Sequence, residues 1–429
     1  MSDRYILVHL QQNFAIAFPL IKKLDIIQID ELCKLLSEYT KEGNMSKLND
    51  IRFFQVKPAI YYGIGAIEQV GNHDFKQVCI VTDEGMVKFG LLKMLTDVLD
   101  KHNIKYHVFS DVEPDPSTEI VEKGLTHILM EKPDALIALG GGSAIDSAKA
   151  IIYYCYNFKK MFFEEDYIKK PYFIAMPTTA GTGSEVTEYA VITDKKNNTK
   201  IPLTDILMMP DAAILEPKLI ESVPPAATAA TGMDVLTHAV EAYVSTNNNP
   251  FSRCYAAKAA ELVFKSLYEC YVNGGNLEAK ASMQIASCMA GIAFNSAGLG
   301  ITHSIAHAVG AQWHLPHGLA NAIGLPYVVR FNGQCGRAQH LYNRLLSAIG
   351  IPNVSGDAAE MLYNSIITLC KEINIPTSLK EQGIDEADFK ASKDIIIGKA
   401  MKDVCTQTNP LSPTKEQFSE LLDQIYYGA

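Results

Sequence analysis

An α/β half followed by an all-helical half is the fold class that this 429-residue sequence predicts. Three observations carry the expectation. Between about residues 50 and 220, apolar strand-like runs alternate with helical periods, the pattern of βα units that build a mostly parallel sheet. Strand signals fade after "DAAILEP" (211–217), and beyond "SVPPAATAA" (222–230) Ala, Leu, Met and Ile recur at helical spacing, with Gly and Pro mainly between the segments. The length itself suits two domains of ordinary size. The expected division is an N-terminal extension at 1–45, an α/β domain at 46–224 and a helical domain at 225–429.

The elements follow in order. In the extension, "DELCKLLSEYTKEG" offers Asp30 as an N-cap, Leu32, Leu35, Leu36 and Tyr39 on one face and Gly43 as a stop, which predicts one short amphipathic helix. The polar "NMSKLND" after it reads as a linker, and Met45 within it as an alternative start. Strands are predicted at "VCIVTD" (78–83), "KYHVFSDV" (105–112), "ALIALGGG" (135–142), "FIAMPTT" (173–179) and "DAAILEP".

The strand at 135 runs into Gly140, Gly141 and Gly142, then Ser143 and an amphipathic helix. Small residues let a backbone approach a phosphate, and a helix N-terminus offers unpaired N–H groups and a favourable dipole. A dinucleotide pyrophosphate fits there, which makes the sheet Rossmann-like, although the spacing is not G-x-G-x-x-G. Asp83 ends another strand, where a carboxylate accepts hydrogen bonds from a ribose and repels a 2′-phosphate; that favours NAD(H) over its phosphorylated form. "PTTAGTGSEVT" (177–187) supplies hydroxyls and glycines for the far side of the same ligand. Taken singly, Asp83 is as well explained as a helix cap and the Thr/Gly segment as a plain loop.

In the helical half, "GMDVLTHAVE" sets Asp234 and His238 four residues apart among apolar neighbours. A buried hydrogen-bonded pair, an exposed polar stripe and half of a metal site all remain open for them. "THSIAHAVGAQWHLPHG" then gathers His303, His307, His314 and His317, four of the eleven histidines. His303 and His307 share a helical face, and His317 follows a proline in a break. Two such pairs plus His317 in one helical domain favour a divalent transition metal over isolated hydrogen bonds. His314 reads as a rim or solvent residue.

Composition sets the exclusions. The formal net charge is −10 with scattered basic residues, so nucleic acid is not an expected partner. Nine cysteines without a C-x-x-C pair give neither a disulfide framework nor a thiolate zinc site, and a reducing cytoplasm fits them. Apolar runs such as "AIAFPLI" (15–21) are far shorter than the roughly 18–20 residues that cross a bilayer, so no membrane span and no secretory signal are expected.

In their order, "GGGSAIDSAKA", "PTTAGTGSEVT", "PDAAILEP", "TGMDVLTHAVEAY" and "HSIAHAVGAQWHLPHGLANA" resemble the iron-containing (group III) alcohol dehydrogenase family, over about residues 50–429. Within it, "GAQWHLPHGLANAIGLP", "SVPP" and "DVCTQTNP" look most like the propanol dehydrogenases of propanediol utilisation and their ethanolamine-pathway relatives. The resemblance implies metal ligands at Asp234, His238, His303 and His317, and places His307 beside nicotinamide and substrate as a proton carrier. It implies cofactor contacts from Asp83, Asp115, Gly141, Gly142, Ser143, Asp146, Thr178, Thr179, Thr182 and Lys200; Asp115, in "EPDP", stands where the family commonly has Asn.

Four protein ligands would close a tetrahedral zinc site, so a metal that accepts a fifth ligand, Fe(II), suits the set better, with Zn(II) the tighter-binding competitor. "GIAFNSAGLG" (291–300) offers Phe294 and small residues but no arginine clamp, which predicts a short uncharged alcohol or aldehyde such as propanol/propanal or ethanol/acetaldehyde. The rivals are a zinc-dependent polyol dehydrogenase of the glycerol or 1,3-propanediol type and a non-catalytic NAD-binding assembly protein. By the same resemblance a homodimer or larger homo-oligomer is expected, and residues 1–44 look like the peptides that direct enzymes to the shell or cargo of a bacterial microcompartment.

Overall fold

A computed structural model describes residues 53–162, 170–195, 199–354 and 356–428. The amphipathic helix expected at 30–43 and the linker after it lie outside these residues. The α/β half runs β1 (Ala59–Tyr62), β2 (Gln77–Asp83), α1 (Glu84–Lys88), α2 (Leu91–Lys101), β3 (Lys105–Val112), α3 (Thr118–Glu131), β4 (Ala135–Gly140), α4 (Gly142–Phe162), β5 (Tyr172–Pro177), β6 (Tyr189–Asp194), β7 (Thr199–Thr204) and β8 (Ala212–Leu215). Six strands form one sheet in the order β1-β8-β5-β4-β2-β3, all parallel, and β6 and β7 pair as a separate antiparallel hairpin.

The apolar runs are continuous because both faces of this sheet are covered. Val78, Ile80, Ile137, Leu139, Ile174 and Met176 pack on one side, and their chain neighbours Cys79, Val81, Leu136, Ala138, Phe173 and Ala175 on the other. The five strands expected from the sequence fall on β2, β3, β4, β5 and β8. Strand β1 and the hairpin gave no such signal: β1 is a half-exposed edge strand, and β6 alternates exposed and buried residues over a short stretch.

From β2 the chain steps to β3 on one side and returns to β4 on the other. The carboxyl ends of β2 and β4, at Asp83 and Gly140, therefore flank the point where strand order reverses, the usual ligand crevice of an open parallel sheet.

After β8 the described residues hold only helices: α5 (Pro225–Val244), α6 (Pro250–Val272), α7 (Leu277–Ala297), α8 (Ile301–Trp313), α9 (His317–Asn332), α10 (Gly336–Ala348), α11 (Ala358–Glu372), α12 (Glu386–Ala400) and α13 (Lys415–Tyr427), with short 3-10 turns. Pro225 opens α5 at a position where its missing N–H costs nothing, and Asn249 with Ser252 forms a capping box on α6. Met233, Val240, Val263, Ala286 and Ala290 share the core of α5, α6 and α7, while Ile305, Phe389, Phe418 and Tyr426 belong to a second cluster that includes α8, α12 and α13. Residues 56–429 form one compact unit. Among the described residues no single helix is long and apolar enough to cross a membrane.

Candidate active site

Helix α5 is buried along most of its length, yet one of its faces carries Asp234, His238 and Glu241, at 3%, 4% and 2% exposure. Spacings of four and three residues stack them on that face. Helix α8 brings His303, 1% exposed, and one turn later His307; α9 starts at His317. Gly318 allows the last approach, because a Cβ at that position would stand 2.3 Å from the Ala230 carbonyl oxygen on α5.

One ligand atom from each of Asp234, His238, His303 and His317 lies within 4.8 Å of the other three. Asp234 Oδ1 stands 3.8 Å from His303 Nε2 and 3.5 Å from His317 Nε2, and the His238 and His303 rings stack at 4.7 Å. His238 Nδ1 and His303 Nε2 are buried with no hydrogen-bond partner. Buried polar atoms are normally satisfied, so an orphaned His303 Nε2 beside a buried carboxylate, within a cluster of four ligand atoms, fits a cation. Burial works to raise the Asp234 carboxyl, but His238, His317, His303 and the Asn321 amide outweigh it and hold the group below its ordinary value. Burial drives His303 well below its own, helped by the neighbouring His238 and His317 rings, so its ring stays neutral and ready to ligate.

Two carboxylates set the orientation of the α8 histidines. Glu241 bonds His303 Nδ1 at 2.6 Å and also accepts from the N–H groups of Gly300 (2.9 Å) and Thr302 (2.7 Å) at the open end of α8. Its own carboxyl is raised to about 6 by burial, against these hydrogen bonds. With Nδ1 engaged, Nε2 of His303 is the nitrogen left facing Asp234. Asp403 does the same for His307, bonding Nδ1 at 2.8 Å, while the His307 ring stacks on His317 at 5.4 Å and stays 45% exposed. Burial works to raise Asp403, yet its bond to His307 and the backbone N–H of Cys405 bring it down to about 2.

Glu241, Asp403 and Asn321 were not singled out from the sequence. A charged residue on the buried face of α5, three residues past His238, was the available signal for Glu241; Asp403 is 96 residues from its histidine and Asn321 87 from Asp234. His314 is exposed, in left-handed backbone at the end of α8. Phe294 stacks on His238 at 4.6 Å and sets an apolar ring beside the cluster.

On the sheet side, Asp83 has two tasks. Its Oδ1 caps α1 through Gly85 and Met86, and its Oδ2 would lie 3.4 Å from a Cβ on Gly140, so the carboxylate borders the glycine loop. Thr178 ties to Gly140 through its backbone N–H (3.0 Å). Thr179 and Thr182 stand across the loop: a Cβ on Gly141 would meet Thr179 Oγ1 at 3.6 Å, and one on Gly142 the Thr182 methyl at 2.9 Å. That bare strip of backbone at the start of α4, with Ser143 in its first turn, fits a pyrophosphate. Asp115 and Lys200 form an ion pair with each other at 2.5 Å, Asp115 in left-handed backbone, and Lys200 also donates to Thr193.

A doubly wound sheet with its crevice at a glycine loop, joined to a helical half that carries a one-carboxylate, three-imidazole cluster, has the build of a metal-dependent, dinucleotide-linked dehydrogenase. Residues 58–217 match the family described as iron-containing alcohol dehydrogenase, and residues 228–426 match the Fe-containing alcohol dehydrogenase family, C-terminal. The chain belongs to the iron-containing alcohol dehydrogenase family and is an oxidoreductase acting on CH–OH groups. It is 41% identical over 390 residues to the NADPH-dependent butanol dehydrogenase of Clostridium saccharobutylicum, covering 87% of this chain and 98% of that one. It is 39% identical to the 1-propanol dehydrogenase PduQ of Salmonella typhimurium, covering 87% and 99%. The crystal structure of sulfoacetaldehyde reductase from Bifidobacterium kashiwanohense in complex with NAD+ matches with a TM-score of 0.78 at 28% identity, over 88% of this chain and all of that one.

Proposed function

We propose that this enzyme interconverts short, uncharged primary alcohols and aldehydes with NAD(H), using Fe(II) at Asp234, His238, His303 and His317. Residues 225–429 supply the metal-binding half and residues 46–224 the dinucleotide half. The single observation that carries the reading is the cluster itself: one ligand atom from each of the four residues lies within 4.8 Å of the others, with the orphaned His303 Nε2 3.8 Å from the buried Asp234 carboxylate. When bound, the divalent ion supplies an electrophile to the substrate oxygen and the nicotinamide takes or gives the hydride.

The chain's own residues do the rest. Glu241 and Asn321 fix the orientation of His303 and Asp234. His307, with Nδ1 held by Asp403, keeps Nε2 for the proton of the substrate oxygen, and its exposure lets that proton pass to water. Phe294 and the absence of an arginine in the 291–300 segment favour a small neutral substrate. Asp83, one oxygen turned to the glycine loop, disfavours a 2′-phosphate, although the Clostridium saccharobutylicum relative is named for NADPH.

Initial rates with propanal, butanal and glycerol, each with NADH or NADPH and with or without Fe(II), test this. Turnover of the aldehydes with NADH after Fe(II) loading is expected. A preference for NADPH would overturn the cofactor choice, and inactivity towards every short aldehyde the substrate class.

Residues 1–44 extend the reading to location. Their amphipathic pattern and the likeness to the 1-propanol dehydrogenase support targeting to a microcompartment shell, and the family supports a homo-oligomer. Deleting residues 1–44 should abolish co-purification with shell proteins; unchanged co-purification removes the idea.

A further inference from the structure

Lys149, on α4 beyond the glycine loop, has no part in the chemistry above and is 0% exposed. Taking an ammonium out of water is costly unless its donors and its charge are all matched. Here three acceptors surround it: Ser184 Oγ at 2.9 Å, Thr187 Oγ1 at 3.0 Å and the Tyr189 carbonyl at 2.8 Å. Burial pulls the ammonium down to about 8, against the carboxylates of Asp146, Glu185 and Glu188.

Asp146, one turn earlier on the same helix, extends the network. Its Oδ1 accepts from Ser184 Oγ at 2.8 Å and its Oδ2 from the Val191 N–H at 3.0 Å. The acceptors of Lys149 thus come from one stretch, 184–189, which runs from just after Thr182 to the first residue of β6. Ser184 in turn donates its N–H to Thr182 Oγ1 at 3.2 Å, and the Thr182 methyl is the group that faces Gly142. An apolar side chain of Lys149's length would fill the same space but leave these hydroxyls and the carbonyl without their shared donor.

We propose that Lys149 is a positioning residue for the dinucleotide: it pins the 184–189 stretch to α4 and so keeps Thr179 and Thr182 opposite Gly141 and Gly142. The inference rests on the cofactor reading above.

Fluorescence titration of NADH into the full-length, Fe(II)-loaded chain decides both, read together with metal per chain, kcat and the aldehyde KM. Wild type that fails to bind NADH overturns the cofactor reading, and this inference with it. If wild type binds, Lys149→Met is expected to raise the NADH Kd about tenfold, the scale of leaving buried polar groups unpaired. Metal content should stay at the wild-type level and the aldehyde KM within about twofold of wild type. Thr187→Val and Ser184→Ala, which each remove one acceptor, should shift the Kd in the same direction by less, and they carry the test if Lys149→Met does not fold. An NADH Kd within about twofold of wild type, or a loss of metal in step with NADH binding, overturns the proposal.

Discussion

At the mouth of the sheet, the groups facing the crevice are backbone, hydroxyls and one strand-end carboxylate; in the helical half they are a buried carboxylate, the buried imidazoles of His238 and His303 and the part-exposed one of His317. The first kind of site is content in water, since its N–H and O–H groups hydrate when no ligand is bound. The second holds a carboxylate against three imidazoles, two of them with an orphaned nitrogen, a set that could hold a cation. The difference teaches where binding affinity and reactivity separate: losing a contact at the mouth weakens attachment, whereas losing a group in the cluster removes the electrophile.

The sharpest break of this comparison is Asp234→Asn. It should abolish metal binding and lower kcat/KM on the order of a thousandfold, the scale of a Lewis acid worth several kcal/mol, while NADH affinity holds. Metal analysis beside an NADH titration checks it, and affinity that falls with the metal would mean that the two sites are one. Glu241→Gln comes next. The amide can turn a donor towards His303 Nδ1, which would place the ring proton on Nε2, so affinity for Co(II), followed by its absorption spectrum, should drop about 10–100-fold.

Asp403 tests the rim of the cluster, where water still reaches. Its folded pKa, about 2, lies below the ordinary 3.8, so the stability it contributes is complete above the unfolded value and is lost as pH falls through the folded one. That gap corresponds to about 2 kcal/mol. In denaturant unfolding of metal-free protein, wild type should exceed Asp403→Asn by that amount at pH 6, and the difference should shrink to a small remainder near pH 2. The smallest effect belongs to the mouth: Asp83→Ala should move the NADH/NADPH preference about tenfold towards NADPH, one charge contact in a half-exposed setting. An unmoved ratio would leave Asp83 as a helix cap alone.

Much of this was legible in the chain because it is local. A fully covered parallel strand must be apolar throughout, so Ala135–Gly140 announced itself, and the glycines after it marked the turn. His303 and His307, or Asp234 and His238, one turn apart need only a helix to share a face. What stayed hidden depends on arrival from elsewhere. Glu241 matters because the N-terminus of α8 comes to rest on it, and Asp403 because a segment near the C-terminus crosses His307. Lys149 carries no signal of its own, because its acceptors come from the 184–189 stretch, 35 to 40 residues further along the chain. The β6-β7 hairpin was missed because a strand pair outside the main sheet has no long apolar run.

The four clustered groups come from three helices, with His303 65 positions after His238. While the polypeptide is being synthesised, no short stretch of it assembles the full chelating set. The choice between iron and zinc therefore belongs to the finished fold and to the ions present at that moment, and protein that took up zinc in a zinc-rich cell should be correctable afterwards by exchange.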